Sequence, residues 1–192
     1  MVYLDLAKGR LTIPTKLALG QELSERARAL QGEDFRSAVV ALGATYRVAV
    51  DLADPGVGSS LGNDARAAAI RREFYAFVAA NQDKIPLVIV EPDSLRITLD
   101  AVPDFLGEVA AKTSAQAAVL RAEGQEEGRV VPSAEIDFRS PVFAVASTAY
   151  SRSVSAVAAT WIAIWRSAGG DMTRQKPPQI INPRPSEPNP GE

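Results

Sequence analysis

The sequence of 192 residues contains no cysteine and no histidine. Without cysteine, disulfides, thiolate nucleophiles and cysteine-ligated zinc are excluded. The compartment stays open, because exported proteins also lack cysteine. Histidine is the commonest metal ligand and the commonest general acid or base near neutral pH. Its absence removes catalytic triads, histidine-ligated zinc and most hydrolase mechanisms together. Charge of one sign is also scarce: 21 Lys and Arg against 23 Asp and Glu leave a formal charge of -2. That balance gives no electrostatic reason to expect nucleic acid or an anionic membrane as a partner. Arg71-Arg72 is too small a cluster for a phosphate-tracking stripe. Long hydrophobic runs are missing too. The most apolar stretch, Val154 to Trp165, is too short to span a bilayer and is bracketed by Arg152 and Arg166. No charged-then-apolar export signal opens the chain, since Val2 to Arg10 already mixes Asp5, Lys8 and Arg10. The chain as written reads as soluble, with its localisation unassigned and export expected if a precursor extends upstream of Met1.

What is present is an ordinary globular balance, 46% hydrophobic and 23% charged, on a length that fits one domain with a sizeable core. The patterning is helical. Met1 to Ile13 reads as irregular, and Thr12-Ile13-Pro14 reads as a helix start, followed by Leu17, Leu19, Leu23, Ala27 and Leu30 at helical spacing. A second helix is expected from about Asp34 to Ala53, with Phe35, Ala38, Val39, Leu42, Tyr46, Ala49, Val50 and Ala53 as its apolar stripe. Asp54-Pro55-Gly56 ends it. Asn63-Asp64 caps a third helix to Asn81, with Ile70, Phe74, Phe77 and Val78 facing the core and Arg66, Arg71 and Arg72 solvated.

Ile85 to Val90 is the only strand-like run, and it is read as a buried extended connector. A fourth helical region runs from Val102 to Ala122 with a break expected near Thr113-Ser114, and Gly124 to Gly128 reads as a polar loop. Ser140-Pro141 starts the longest helix, which ends at Ala168-Gly169-Gly170. Its apolar stripe of Tyr150, Val154, Val157, Trp161, Ile164 and Ala168 marks it as the central element of a bundle. The fold class is therefore all-α, a single bundle of about five helices over residues 1–170, organised around the second and last helices. Residues 171–192, proline-rich and nearly without core residues, are expected to be disordered.

The candidate chemistry gathers where the second helix ends. Arg47 and Asp51 lie at i and i+4, so their side chains meet on one helix face, as a surface ion pair or as a partly buried one. Tyr150, Trp161 and Trp165 read as core, with a ligand groove as the alternative. Arg71-Arg72-Glu73 reads as a solvated face. Ser59-Ser60 sits in a glycine-rich loop, but no Gly-Lys-Ser/Thr follows to cradle phosphate.

LGATYRVAVDLADPG, residues 42–56, resembles a helix of the S1/P1 nuclease and zinc-dependent phospholipase C family, whose pattern is close to Gly-Ala-x-x-His-x-x-x-Asp-x-x-x-Pro. The matching positions are Gly43, Ala44, Arg47, Asp51 and Pro55. YSRSVSAVAATWIAIWRSAGG, residues 150–170, is similar to the family's closing helix. The resemblance covers residues 34–80 and 140–170 and implies a phospholipase C/P1 nuclease-like bundle. The family hydrolyses phosphodiesters at a three-zinc cluster held mostly by His and Asp, where metals activate water and neutralise phosphate.

The departures are severe. Arg47 stands at the family's His, Gly56 and Val57 follow Pro55 in place of His, and RREFYAFV (71–78) contains neither His nor Asp. Only Asp51 matches a ligand position, so no metal is expected and zinc is taken as lost. The resemblance then implies a divergent, catalytically inactive member, in which Arg47 replaces the lost positive charge and holds Asp51 ionised in a buried pair. A cleft for a phosphorylated or lipid-like ligand would lie near Arg47, Asp51, Asp54 and Arg72. Two alternatives stand beside it. One is a helical interaction or scaffold protein without a small-molecule site, binding a protein partner through its proline-rich tail and helix faces. The other is a working hydrolase whose missing ligands lie upstream of Met1.

Overall fold

The computed structural model describes residues 21–23, 25, 28, 43, 46–57, 61–88 and 92–169. Several expectations lie outside them: the helix start at Thr12 to Pro14, the stripe from Phe35 to Leu42, the Ser59-Ser60 loop, the end of the connector at Ile89-Val90 and the tail 171–192. The described residues are mostly helical. Residues 21–23, 25, 28, 43 and 46–53 are helical, and three helices are described from end to end: α1, Ala65–Ala80; α2, Val102–Glu123; and α3, Pro141–Ser167.

Local chemistry sets their ends. The Asp64 carboxylate accepts the Ala67 N–H at 2.7 Å and Asn81 closes α1, while the Ser140 hydroxyl accepts the Phe143 N–H at 3.2 Å ahead of Pro141. Each supplies a partner to a first-turn N–H that the helix itself cannot satisfy. Two expectations fail between these ends. α2 runs unbroken through Thr113-Ser114, because the buried Thr113 hydroxyl donates back to the Val109 carbonyl at 2.8 Å instead of competing with the helix. Gln125 to Val130 is not a plain loop but a two-stranded hairpin, β1 (Gln125–Glu126) and β2 (Arg129–Val130). Glu127 and Gly128 both adopt positive φ (48° and 81°), as a tight two-residue hairpin turn requires.

Two apolar clusters meet along α3. Val142, Val145 and Ala146 pack with Ile70, Phe74 and Phe77 of α1 and with Ala117 and Leu120 of α2. Ala156, Ala163 and Ile164 pack with Val102, Leu106 and Val109 of α2 and with Leu23, Ala49, Leu52 and Ala53. The beginning of α3 thus meets the end of α2, and the reverse, so the two run antiparallel. α3 is the central helix, as expected, and of its expected stripe Ile164 is buried and Val157 packs partly against the core, but the rest of the buried face differs. Ala146, Ala149, Ala156, Ala159, Thr160 and Ala163 are buried, whereas Tyr150 and Trp161 are 46% and 38% exposed. The connector is also less buried than expected. Ile85 is buried, but Leu87 and Val88 are exposed, and the Ser151 hydroxyl ties this strip to α3 through the Val88 N–H (3.1 Å) and the Pro86 carbonyl (3.3 Å).

Candidate functional site

The segment 46–53 ends in a turn built by Asp54. Its Oδ1 accepts the Gly56 N–H at 2.7 Å and its backbone carbonyl accepts the Val57 N–H at 3.2 Å. Oδ2 accepts the Tyr75 hydroxyl of α1 at 2.7 Å. One turn earlier on α1, Arg71 Nε donates to the Gly56 carbonyl. Arg71 and Tyr75 are four residues apart, so they share the α1 face that meets this turn. A side chain at residue 56 would collide with the Tyr75 hydroxyl, so the close approach demands glycine there.

Burial pushes the Asp54 carboxyl above its usual value, against the opposing pull of the Tyr75 hydroxyl and the Gly56 N–H. Burial, and then the Asp54 carboxylate, raise the Tyr75 phenol well above its ordinary value. This arrangement holds a proton on Tyr75. It therefore suits binding and orientation better than proton abstraction by the phenolate.

The expected cleft residues do not gather as one site. Arg47 and Asp51 are 3.8 Å apart with side chains 86% and 38% exposed, so the pair is the surface one that the spacing suggested and not the buried pair that the resemblance implied. Such an i,i+4 pair is worth about 0.3–0.5 kcal/mol. Arg72 pairs at 3.0 Å with its neighbour Glu73, and Glu73 accepts the Ser133 N–H at 3.1 Å, so Arg72 belongs to the hairpin side of α1. Arg71, expected to be solvated, takes the place beside Asp54 that Arg72 was expected to fill.

Zinc does not fit the donors that the described residues bring together. Among the described residues no group of three or more His, Cys, Asp or Glu could hold a metal ion, and both oxygens of Asp54 are already engaged by Gly56 and Tyr75.

What the structure does assemble is a groove. Tyr46 and Val50 of the 46–53 segment face Tyr150, Val154, Val157 and Trp161 of α3, with Ser153 and Ala158 completing the lining, around about 380 Å³. A smaller cavity of about 130 Å³ adjoins it through Val50, Tyr150 and Ser153 and reaches Asp54 and Tyr75. An apolar trough with aromatic walls thus ends at a hydrogen-bonded carboxylate and phenol. The aromatics were legible in sequence, but their spacing placed them in the core. Nothing local in the sequence marks Tyr75 as the partner of Asp54 or Arg71 as the partner of the Gly56 carbonyl, because those contacts join residues 21 and 15 positions apart.

A third cavity, lined by Arg96, Thr98, Asp100 and Arg166 at the end of α3, offers no comparable site. Arg166 already donates to the Leu95 carbonyl at 2.7 Å, and Asp100 opposes an anion. Among the described residues no helix is long and apolar enough to cross a membrane. No family model, curated protein or solved structure matches the chain.

Proposed function

We propose that this chain is a non-catalytic binding protein whose ligand site is the groove between the 46–53 segment and α3. The observation that carries this reading is the exposure of Tyr46, Tyr150 and Trp161 around one concave apolar surface. Contiguous exposed apolar surface of this kind is uncommon without a ligand or partner to cover it. The ligand class is elongated and mainly apolar, with a hydrogen-bonding or cationic end for the Asp54–Tyr75 pole. Kinship with the phospholipase C/P1 nuclease scaffold, with zinc lost, is part of the proposal. It rests on the Gly43–Pro55 pattern and on the aromatic-rich last helix.

The test is titration with 1-anilinonaphthalene-8-sulfonate, an apolar dye, read by energy transfer from tryptophan. Saturable binding that Val157→Asp lowers at least tenfold is expected, with the variant still unfolding cooperatively in urea. Absence of saturable binding, or an unchanged Val157→Asp variant, would overturn the groove. Zinc-dependent turnover of a chromogenic phosphodiester would overturn the loss of catalysis.

A further inference from the structure

The smaller cavity, about 130 Å³, lies between α1, α3 and the turn at Asp54, and its polar lining is poor in protons. The Asp54 carboxylate already accepts from the Gly56 N–H and the Tyr75 hydroxyl and has no proton to give. Tyr75 commits its hydroxyl proton to Asp54 at 2.7 Å, and Ser153 commits its own to the Ala149 carbonyl at 2.9 Å. What Asp54, Tyr75 and Ser153 offer this space is therefore oxygen lone pairs. Among the lining residues only Tyr150 keeps a hydroxyl proton that no described residue accepts.

We propose that this cavity holds the ammonium group of a primary alkylamine, whose unbranched tail continues into the groove. The assignment deepens the groove reading above and rests on it.

Charge favours a cation here. Among the described residues Asp54 has no ion-pair partner: Asp51 lies near enough to repel its negative charge, and Arg71 attracts it more weakly. An enclosed carboxylate without a counter-charge is costly, and a bound ammonium would offset that cost. A phosphate or carboxylate end would meet the opposite situation. Among the described residues no lysine or arginine lines the cavity, and Arg71 donates to the Gly56 and Gly62 carbonyls instead.

Hydrogen bonding and size narrow the cation further. A primary ammonium brings three donors and no acceptor, which matches lone pairs on Asp54, Tyr75 and Ser153. Phe74, Tyr75 and Tyr150 add ring surface, which attracts a cation. At about 30 Å³ for each water-sized group, the volume admits an ammonium and about three methylenes. Val50, Tyr150 and Ser153 line both cavities, so the rest of a straight tail passes to the apolar walls beyond.

The experiment titrates the full chain by calorimetry near neutral pH with n-octylammonium, 1-octanol and octyl phosphate. The ammonium should bind at least tenfold tighter than the alcohol, and octyl phosphate more weakly than the alcohol. Asp54→Asn keeps an acceptor for the Gly56 N–H and turns a donor toward the Tyr75 oxygen, so the turn retains its hydrogen bonds while the charge is removed. In that variant the ammonium and the alcohol should bind equally. Equal binding of the two by the parent chain, tighter binding of octyl phosphate, or an ammonium preference kept by Asp54→Asn would each overturn the ammonium site, with saturable dye binding leaving the groove standing. If Asp54→Asn fails to unfold cooperatively, the ranking of the three ligands by the parent chain decides. Absence of saturable dye binding would remove the groove, and the ammonium site with it. Nα-acetyl-lysine amide binding as tightly as n-octylammonium would assign the cavity to a lysine side chain of another protein and overturn the alkylamine.

Discussion

The two faces of α3 carry opposite kinds of residue. The face against α2 is built from Ala156, Ala159 and Ala163, each no more than 1% exposed, and the outer face from Tyr150, Val154, Val157 and Trp161. Small residues let helix axes approach closely, and the larger Val102, Leu106 and Val109 of α2 fill the space they leave. Burial at this end of the helix therefore follows size complementarity, with Ile164 the large side chain on the inner face, while Tyr150 and Trp161 face outward. A smaller version of the contrast separates two carboxylates three residues apart. Asp54 is enclosed and bound by Tyr75 and Gly56, whereas Asp51 shares the surface with Arg47.

The sharpest way to break the contrast is to enlarge the small face. Ala159→Leu should destabilise the protein by about 1–3 kcal/mol through overpacking, measured by urea unfolding. A neutral result would mean that the inner face is not closely packed. Thr160 sharpens the same face from the other direction. Its hydroxyl is buried and has no hydrogen-bond partner among the described residues, so Thr160→Val should stabilise by about 1 kcal/mol.

On the outer face, Trp161→Ala should cost less than about 1 kcal/mol of stability, since the side chain is 38% exposed, yet it should abolish saturable dye binding. A large loss of stability would return Trp161 to the core.

The paired carboxylates give two smaller effects. Because Tyr75 keeps its proton longer in the folded chain than in the unfolded one, its contribution is fully present below its ordinary value of 10.0 and is lost as pH rises above it. Stability of the native chain should thus fall above about pH 10. Tyr75→Phe should flatten that alkaline limb in urea midpoints taken at successive pH values, and should remove the highest-pH component of the tyrosinate absorbance titration. Arg47→Ala should change stability by less than about 0.5 kcal/mol. A loss of several kcal/mol would restore the buried ion pair.

Helix ends were legible because their causes are local. Asp64 and Ser140 each serve an N–H three residues ahead, and Asn81 and Gly169 fall where the chain leaves the helix. The buried residues of α1 and α2 followed the helical period, from Ile70 and Phe77 to Leu106 and Leu120. On α3 the expected stripe was right at Ile164, and at Val157 in part, but the larger side chains also drew Tyr150 and Trp161 into it, which the structure exposes. The partners of this turn were not legible, since Tyr75 reaches Asp54 and Arg71 reaches the Gly56 carbonyl only after the turn at Pro55-Gly56 has brought α1 alongside. The resemblance to zinc phosphodiesterases directed attention to the stretch that ends in the Asp54 turn. It also singled out Arg47 and Arg72, which the structure leaves at the surface.

Two arginines from different helices hold the chain between the 46–53 segment and α1. Arg71 reaches the Gly56 and Gly62 carbonyls, and Arg121, in the last turns of α2, reaches the Leu61 carbonyl and the Asp64 carboxylate that caps α1. Fraying the end of α2 would release Leu61 and weaken the cap of α1 in the same event. The turn, the first turn of α1 and the last turn of α2 should therefore open as one cooperative unit. In native-state hydrogen exchange, the Ala67 amide should share its opening free energy with the amides around Arg121, although they belong to different helices.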